Sequence, residues 1–151
     1  MIYIGVDPGA KGGFSQIRTY PNGQIDVMSF AWDNDGFVDF MRDTPIDFEP
    51  VKCAVEKVGA MPGNGSVSMF NFGRSYGFIL GVLAALNIPY QVVPPREWKK
   101  EFGLNSDKAK SIEVCHRLFP NVDLKRTERC KTDSDGKAES ILIAEWCRRK
   151  M

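Results

Sequence analysis

Ile2-Tyr3-Ile4-Gly5-Val6-Asp7-Pro8-Gly9-Ala10-Lys11-Gly12-Gly13 decides the fold class of this 151-residue chain and supplies its most telling side chain. The apolar run reads as a buried strand and the glycines after it as a tight turn. The Asp7 carboxylate then stands at the tip of a rigid element. An apolar strand has no structural use for an acid there, whereas a metal ion or a phosphate-handling loop does.

Outward from that stretch, residues 1–7, 13–20 and about 24–31 read as the strands of a meander, with Pro21-Asn22-Gly23 turning between the last two. Residues 35–42 read as a short helix with Phe37, Phe40 and Met41 at helical spacing. Val51-Lys52-Cys53-Ala54-Val55-Glu56-Lys57-Val58 is a further buried strand ending near an acid, followed by a glycine-rich loop over 59–65. A long helix runs from Ser66 or Ser68 to Leu86, then a strand over 88–93 closed by Pro94-Pro95. Pro95 suits a first helical turn, so 96–102 reads as helix; Asn105 or Ser106 caps the next, over 107–119. A Lys/Arg-rich loop over 120–134 leads to a last helix over 135–149, with Ala138, Ile141, Leu142 and Cys147 facing inward. Three strands followed by strand–helix alternation indicate a single α/β domain, a mixed β-sheet flanked by helices.

Gly73, Gly77 and Gly81 fall at i, i+4 and i+8 of the long helix and form one smooth ridge. Each glycine costs about 1 kcal/mol in a helix interior, so the ridge is expected to admit another backbone. Packing against the domain's own sheet is favoured over a second subunit.

A content of 43% hydrophobic and 26% charged residues fits an ordinary globular protein and excludes a disordered or membrane-embedded class. The longest apolar stretch, 78–86, is too short to span a bilayer, and the start lacks a signal-peptide pattern, so a cytoplasmic location is expected. The four cysteines are scattered without a C-x-x-C pair, which reads as free thiols. Net charge is +1, but residues 1–56 carry 4 Lys/Arg against 9 Asp/Glu and residues 57–151 carry 16 against 10. An acidic first part and a basic second part suit a protein with acidic catalytic residues that binds a polyanion.

Phosphodiester cleavage by two divalent ions needs several acids converging from different elements, with the ions roughly 3.5–4 Å apart. Mg²⁺ suits such a site because it takes carboxylate and water oxygens. Four acids are placed for this: Asp7, Glu56 near a strand end, and Asp135 and Glu139 at the start of the last helix, on one face of it. Taken singly, Asp135 also reads as a helix N-cap, Glu139 as a first-turn acid and Glu56 as a partner for Lys52 or Lys57.

Ile4-Gly5-Val6-Asp7-Pro8-Gly9, then Val55-Glu56-Lys57-Val58, then Asp135-Gly136-Lys137-Ala138-Glu139-Ser140-Ile141-Leu142-Ile143-Ala144, resembles the RuvC-type Holliday-junction resolvases, and among them the small ones of bacteriophages. Order and approximate spacing agree over nearly the whole chain, including Gly73-Arg74-Ser75-Tyr76-Gly77. The resemblance implies a ribonuclease-H-like fold and a homodimer that nicks a four-way junction or other branched DNA with Mg²⁺ or Mn²⁺, two ions per site. It implies that Asp7 bridges both ions and that Glu56, Asp135 and Glu139 complete the set, with Asp133 as the runner-up for Asp135. Lys99, Lys108 and, less centrally, Lys110 correspond to the family's lysines near the cleaved phosphate, and Arg74 faces the DNA. If the gene is a bacteriophage's, the cytoplasm is the host's. Gly59 departs from the pattern, since many members carry a stacking aromatic there; Met61, or Phe70 at the helix start, is the expected substitute, and a broader branched-DNA endonuclease is the reading this leaves open.

Two rival readings compete. The strand and glycine turn around Asp7 also match the phosphate loop of actin-like and sugar-kinase ATPases, though these need two such domains. A non-catalytic branched-DNA-binding domain needs no cluster of mutually repelling acids.

Overall fold

A computed structural model of the chain describes residues 1–60 and 63–151. Its five strands are β1 (Ile2–Asp7), β2 (Gly13–Thr19), β3 (Ile25–Ala31), β4 (Val51–Glu56) and β5 (Tyr90–Val93). Its helices are α1 (Asn34–Asp43), α2 (Ser66–Ala85), α3 (Pro95–Glu101), α4 (Lys108–Leu118) and α5 (Asp135–Lys150). The sheet order is β3-β2-β1-β4-β5. The first three strands form the expected antiparallel meander, and β4 and β5 join parallel to β1. This is the mixed sheet expected from the sequence, with helices on both faces. No helix among the described residues is long and apolar enough to cross a membrane.

Strand parity sorts the side chains. Ile2, Ile4 and Val6 of β1, with Val51, Cys53 and Val55 of β4, enter one core with Phe37 and Met41 of α1 and Ile79 and Leu83 of α2. The alternate residues of both strands, including Ala54, turn to the opposite face. There a second core gathers around α5, with Trp98, Val114, Leu124, Ile141 and Leu142. The Val6–Val55 pair is the last of the parallel register, so Asp7 and Glu56 follow side by side at the strand ends on the α5 face.

Helix α5 is buried on every side from Gly136 to Cys147. It lies so close to β1 that a Cβ on Gly5 would stand 2.1 Å from the Ser140 carbonyl oxygen and 2.2 Å from the Ala144 nitrogen. A Cβ on Gly136 would meet the Lys11 carbonyl oxygen at 2.1 Å. Among the described residues, the tightest approaches between the α5 backbone and the segment around Asp7 are therefore at Gly5 and Gly136. A Cβ on Gly73, Gly77 or Gly81 would meet nothing within 4 Å, which corrects the expected internal packing of that ridge: it faces open space.

Several boundaries move for local reasons. Strand β4 stops at Glu56 rather than Val58, because its partner β5 ends at Val93 before Pro94, and Lys57 makes the last bond, to the Val93 carbonyl at 2.8 Å. Strand β5 starts at Tyr90 because Asn87 turns with φ 52° and Ile88 N–H returns to Leu83 O. Asp107, not Asn105 or Ser106, caps α4, and the Asn105 side chain instead accepts from the Asp107 N–H. Ser134 caps α5, which relieves Asp135 of that role.

Candidate active site

Asp7 and Glu56 end neighbouring strands, and α5 crosses that edge with Glu139 one turn after Asp135. Asp7, Glu56 and Glu139 line one open cavity together with Lys11, Lys99 and Lys108. The sequence thus delivers carboxylates from three elements far apart in the chain to a single space.

The surroundings of each acid differ. Glu56 Oε2 accepts a hydrogen bond from Trp98 Nε1 at 2.7 Å. Glu139, nearly buried, accepts from Ser111 Oγ at 3.1 Å and has Lys99 Nζ at 3.6 Å. Asp135 holds Lys108 Nζ at 2.5 Å. Burial is the main cause that pushes the Asp7 carboxyl well above its usual range, followed by the Glu56 and Glu139 charges; Lys108 opposes the shift and Asp135 adds to it. Burial also raises Glu56, against the Trp98 hydrogen bond, while Glu139 adds to the rise. The Asp135 hydrogen bond raises Lys108 and keeps it an ammonium.

The donor set is all oxygen and anionic, and its repulsion is only partly offset by the two ammonium groups. That chemistry fits a hard divalent cation. Among the described residues no group of three or more His, Cys, Asp or Glu side chains stands ready to hold a metal ion, and Lys99 and Lys108 are paired with two of the acids.

The other expected residues divide. Arg74 lines the cavity from α2. Lys110 lies two residues from Lys108, on the far side of α4, and does not line it. Asp133 is turned to His116, Nε2–Oδ2 2.7 Å, and bridges to Lys125 as an isolated β-pair, so the structure does not bring it to the other acids. Phe70 is 69% exposed on α2 and is not part of the cavity wall. Met61 lies outside the described residues.

Sequence reasoning passed over Trp98, Ser111 and Lys11. Trp98 directly precedes the expected Lys99, but only the third dimension shows its indole turned to Glu56. Ser111 lies one turn beyond Lys108 on the same face of α4, a spacing that offered a usable signal.

In sequence, no protein-family model and no curated protein matches the chain. In structure, it is similar to Thermus thermophilus RuvC in complex with a Holliday junction substrate, with a TM-score of 0.64 and 13% identity over 95% of this chain and 90% of that one. A second Thermus thermophilus RuvC structure gives 0.61 and 16% over 99% and 96%. The yeast mitochondrial Holliday junction resolvase gives 0.53 and 14% over 98% and 83%. The chain shares the fold of these RuvC structures.

Proposed function

We propose that the protein is a divalent-metal-dependent endonuclease that nicks four-way junctions, and other branched DNA, at phosphodiester bonds. One observation carries the reading: Asp7, Glu56 and Glu139 come from two strand ends and a buried helix to one cavity edged with cations. A fold that needed these residues only for stability would gain nothing from collecting carboxylates whose charges push the Asp7 and Glu56 carboxyls up.

Asp7, Glu56, Asp135 and Glu139 would hold Mg²⁺ or Mn²⁺, two ions in the reading favoured by the resemblance. When bound, such ions supply Lewis-acid stabilisation of the attacking and leaving oxygens and an activated water. The chain's own residues do the rest. Trp98 and Ser111 fix the orientation of Glu56 and Glu139 through single hydrogen bonds. Lys99 and Lys108, now on Glu139 and Asp135, stand where a phosphate oxygen would arrive, and would exchange a carboxylate partner for it. Arg74 and Lys11 at the rim attract the backbone without reading bases.

The same reading includes a homodimer. The exposed face of α2 carries Val67, 74% exposed, and Phe70 beside the open Gly73–Gly77–Gly81 ridge, and a second copy would cover it. Sedimentation with and without junction DNA tests that part.

The deciding experiment incubates an end-labelled four-way junction with the protein at low salt and Mg²⁺ or Mn²⁺. Paired nicks that disappear in Asp7→Asn are expected. Absence of cleavage by the wild type overturns the reading, and undiminished cleavage by Asp7→Asn overturns the site.

A further inference from the structure

The segment joining α4 to α5, residues 119–134, exposes Lys125, Arg126, Arg129 and Lys131 within seven positions. None of these four pairs with an acid among the described residues. A run of charge is often only a solvated surface, but this segment is held in shape. Leu124 is buried, and its carbonyl takes the Ser134 N–H at 2.7 Å. Lys125 bridges to Asp133, and the tip closes with Cys130 N–H on the Thr127 carbonyl at 3.0 Å. Lys137 of α5, only 6% exposed, donates Nζ to the Lys125 carbonyl at 2.9 Å. Burying an ammonium is costly unless its bonds matter, so the shape of this loop is something the fold maintains.

The loop is also placed against the cavity. Arg126 Nη2 reaches the Ala10 carbonyl at 3.4 Å, and Ala10 and Lys11 form the cavity wall beside Asp7. Three carboxylates cannot by themselves retain a polyanion. A strand with one phosphate in the cavity presents further phosphates at a spacing of about 3.4 Å along the duplex axis. Arg126, beside the β1–β2 turn, matches that continuation in charge and position, and the exposed, unpaired Arg129 and Lys131 follow it in the same loop.

We propose that the loop is a backbone-binding strap for the DNA arm that leaves the Asp7 cavity past the β1–β2 turn, with Arg126, Arg129 and Lys131 contacting its phosphates. Lys137 is its positioning residue. This rests on the nuclease reading above. Because the cations meet phosphates, the strap confers affinity and arm placement without base preference.

The test measures junction binding without divalent ions, as log affinity against log salt, for the wild type and for Arg126→Ala/Arg129→Ala/Lys131→Ala. The slope should flatten by roughly 0.9 for each phosphate no longer neutralised, about 2 to 3 in total. Arg42→Ala, which removes an exposed cation of α1 paired with Asp39, should leave it unchanged. Arg126→Lys/Arg129→Lys should keep the wild-type slope, and single Arg129→Glu gives a second reading should the triple variant melt early. Unchanged slopes in the alanine and glutamate variants overturn the strap, while cleavage of the junction by the wild type in Mn²⁺ leaves the nuclease reading standing. A wild type that binds with the slope difference but never cuts supports the strap and overturns the nuclease. A wild type that neither binds nor cuts overturns both.

Discussion

Trp98 donates its indole N–H to Glu56 Oε2 across 2.7 Å, joining α3 to the tip of β4. This bond favours the ionised carboxylate against the burial that opposes it. Trp98→Phe keeps the ring and removes the donor, so the Glu56 carboxyl should titrate at still higher pH. We expect cleavage to fall about 10- to 100-fold and the acid limb of the pH–rate profile to move to higher pH. A profile that keeps its acid limb in place would show that Glu56 needs no such support.

Asp7 makes folding stability depend on pH in the sense opposite to an ion-paired acid. Below its ordinary value of 3.8 the carboxyl is protonated in both folded and unfolded chains and contributes nothing. As pH rises, the unfolded chain ionises first while the folded one retains the proton, so stability declines until the raised folded pKa is passed and stays lower beyond it. Asp7→Asn should therefore melt above the wild type at neutral pH in EDTA, with the difference closing toward pH 4. Adding Mg²⁺ or Mn²⁺ should raise the wild-type midpoint and leave the Asn variant nearly unmoved. Thermal melts at several pH values check both halves.

Glycines of opposite surroundings should respond oppositely to alanine. Gly5→Ala drives a methyl into the α5 backbone and should cost about 1–3 kcal/mol or more, near 2–4 °C in Tm per kcal/mol for a chain of this size. Gly77→Ala adds a methyl to open space and should stabilise an isolated chain by up to about 1 kcal/mol. If a second copy covers that face, Gly77→Leu should reduce self-association in sedimentation while leaving the monomer folded.

Lys108 bonds to Asp135 and lowers the Asp7 pKa from a distance. Lys108→Met should push the Asp7 carboxyl higher still and slow cleavage at pH 6 more than at pH 8. Equal slowing at both would assign Lys108 to the phosphate alone.

The strands, the helix order and the convergence of Asp7, Glu56 and Glu139 on one cavity were legible because they rest on local signals: period-two burial in β1 and β4, proline and glycine stops, and acids at element ends. What stayed hidden depends on distances between elements. A glycine's spacing says that a close approach is permitted, not where one occurs, so the regular Gly73–Gly81 series drew the prediction and isolated Gly5 and Gly136 made the approaches. Asp133 and Asp135 are two residues apart and chemically alike. The structure gives them different surroundings: Asp133 turns its carboxylate to His116 and bridges by its backbone to Lys125 of the same loop, while the Ser134 cap starts the helix with Asp135 on its first turn, against Lys108.

The close approach of Gly5 to the backbones of Ser140 and Ala144 joins segments separated by nearly the whole chain. Asp7 and Glu139 cannot meet before α5 seats against β1, and α5 cannot seat without most of the second core. On the proposed nuclease function, a nascent or half-opened chain would thus be harmless to the DNA around it. Cooperative folding would then act as a safety catch, and any lesion that loosens α5 would disarm the protein rather than leave it cutting indiscriminately.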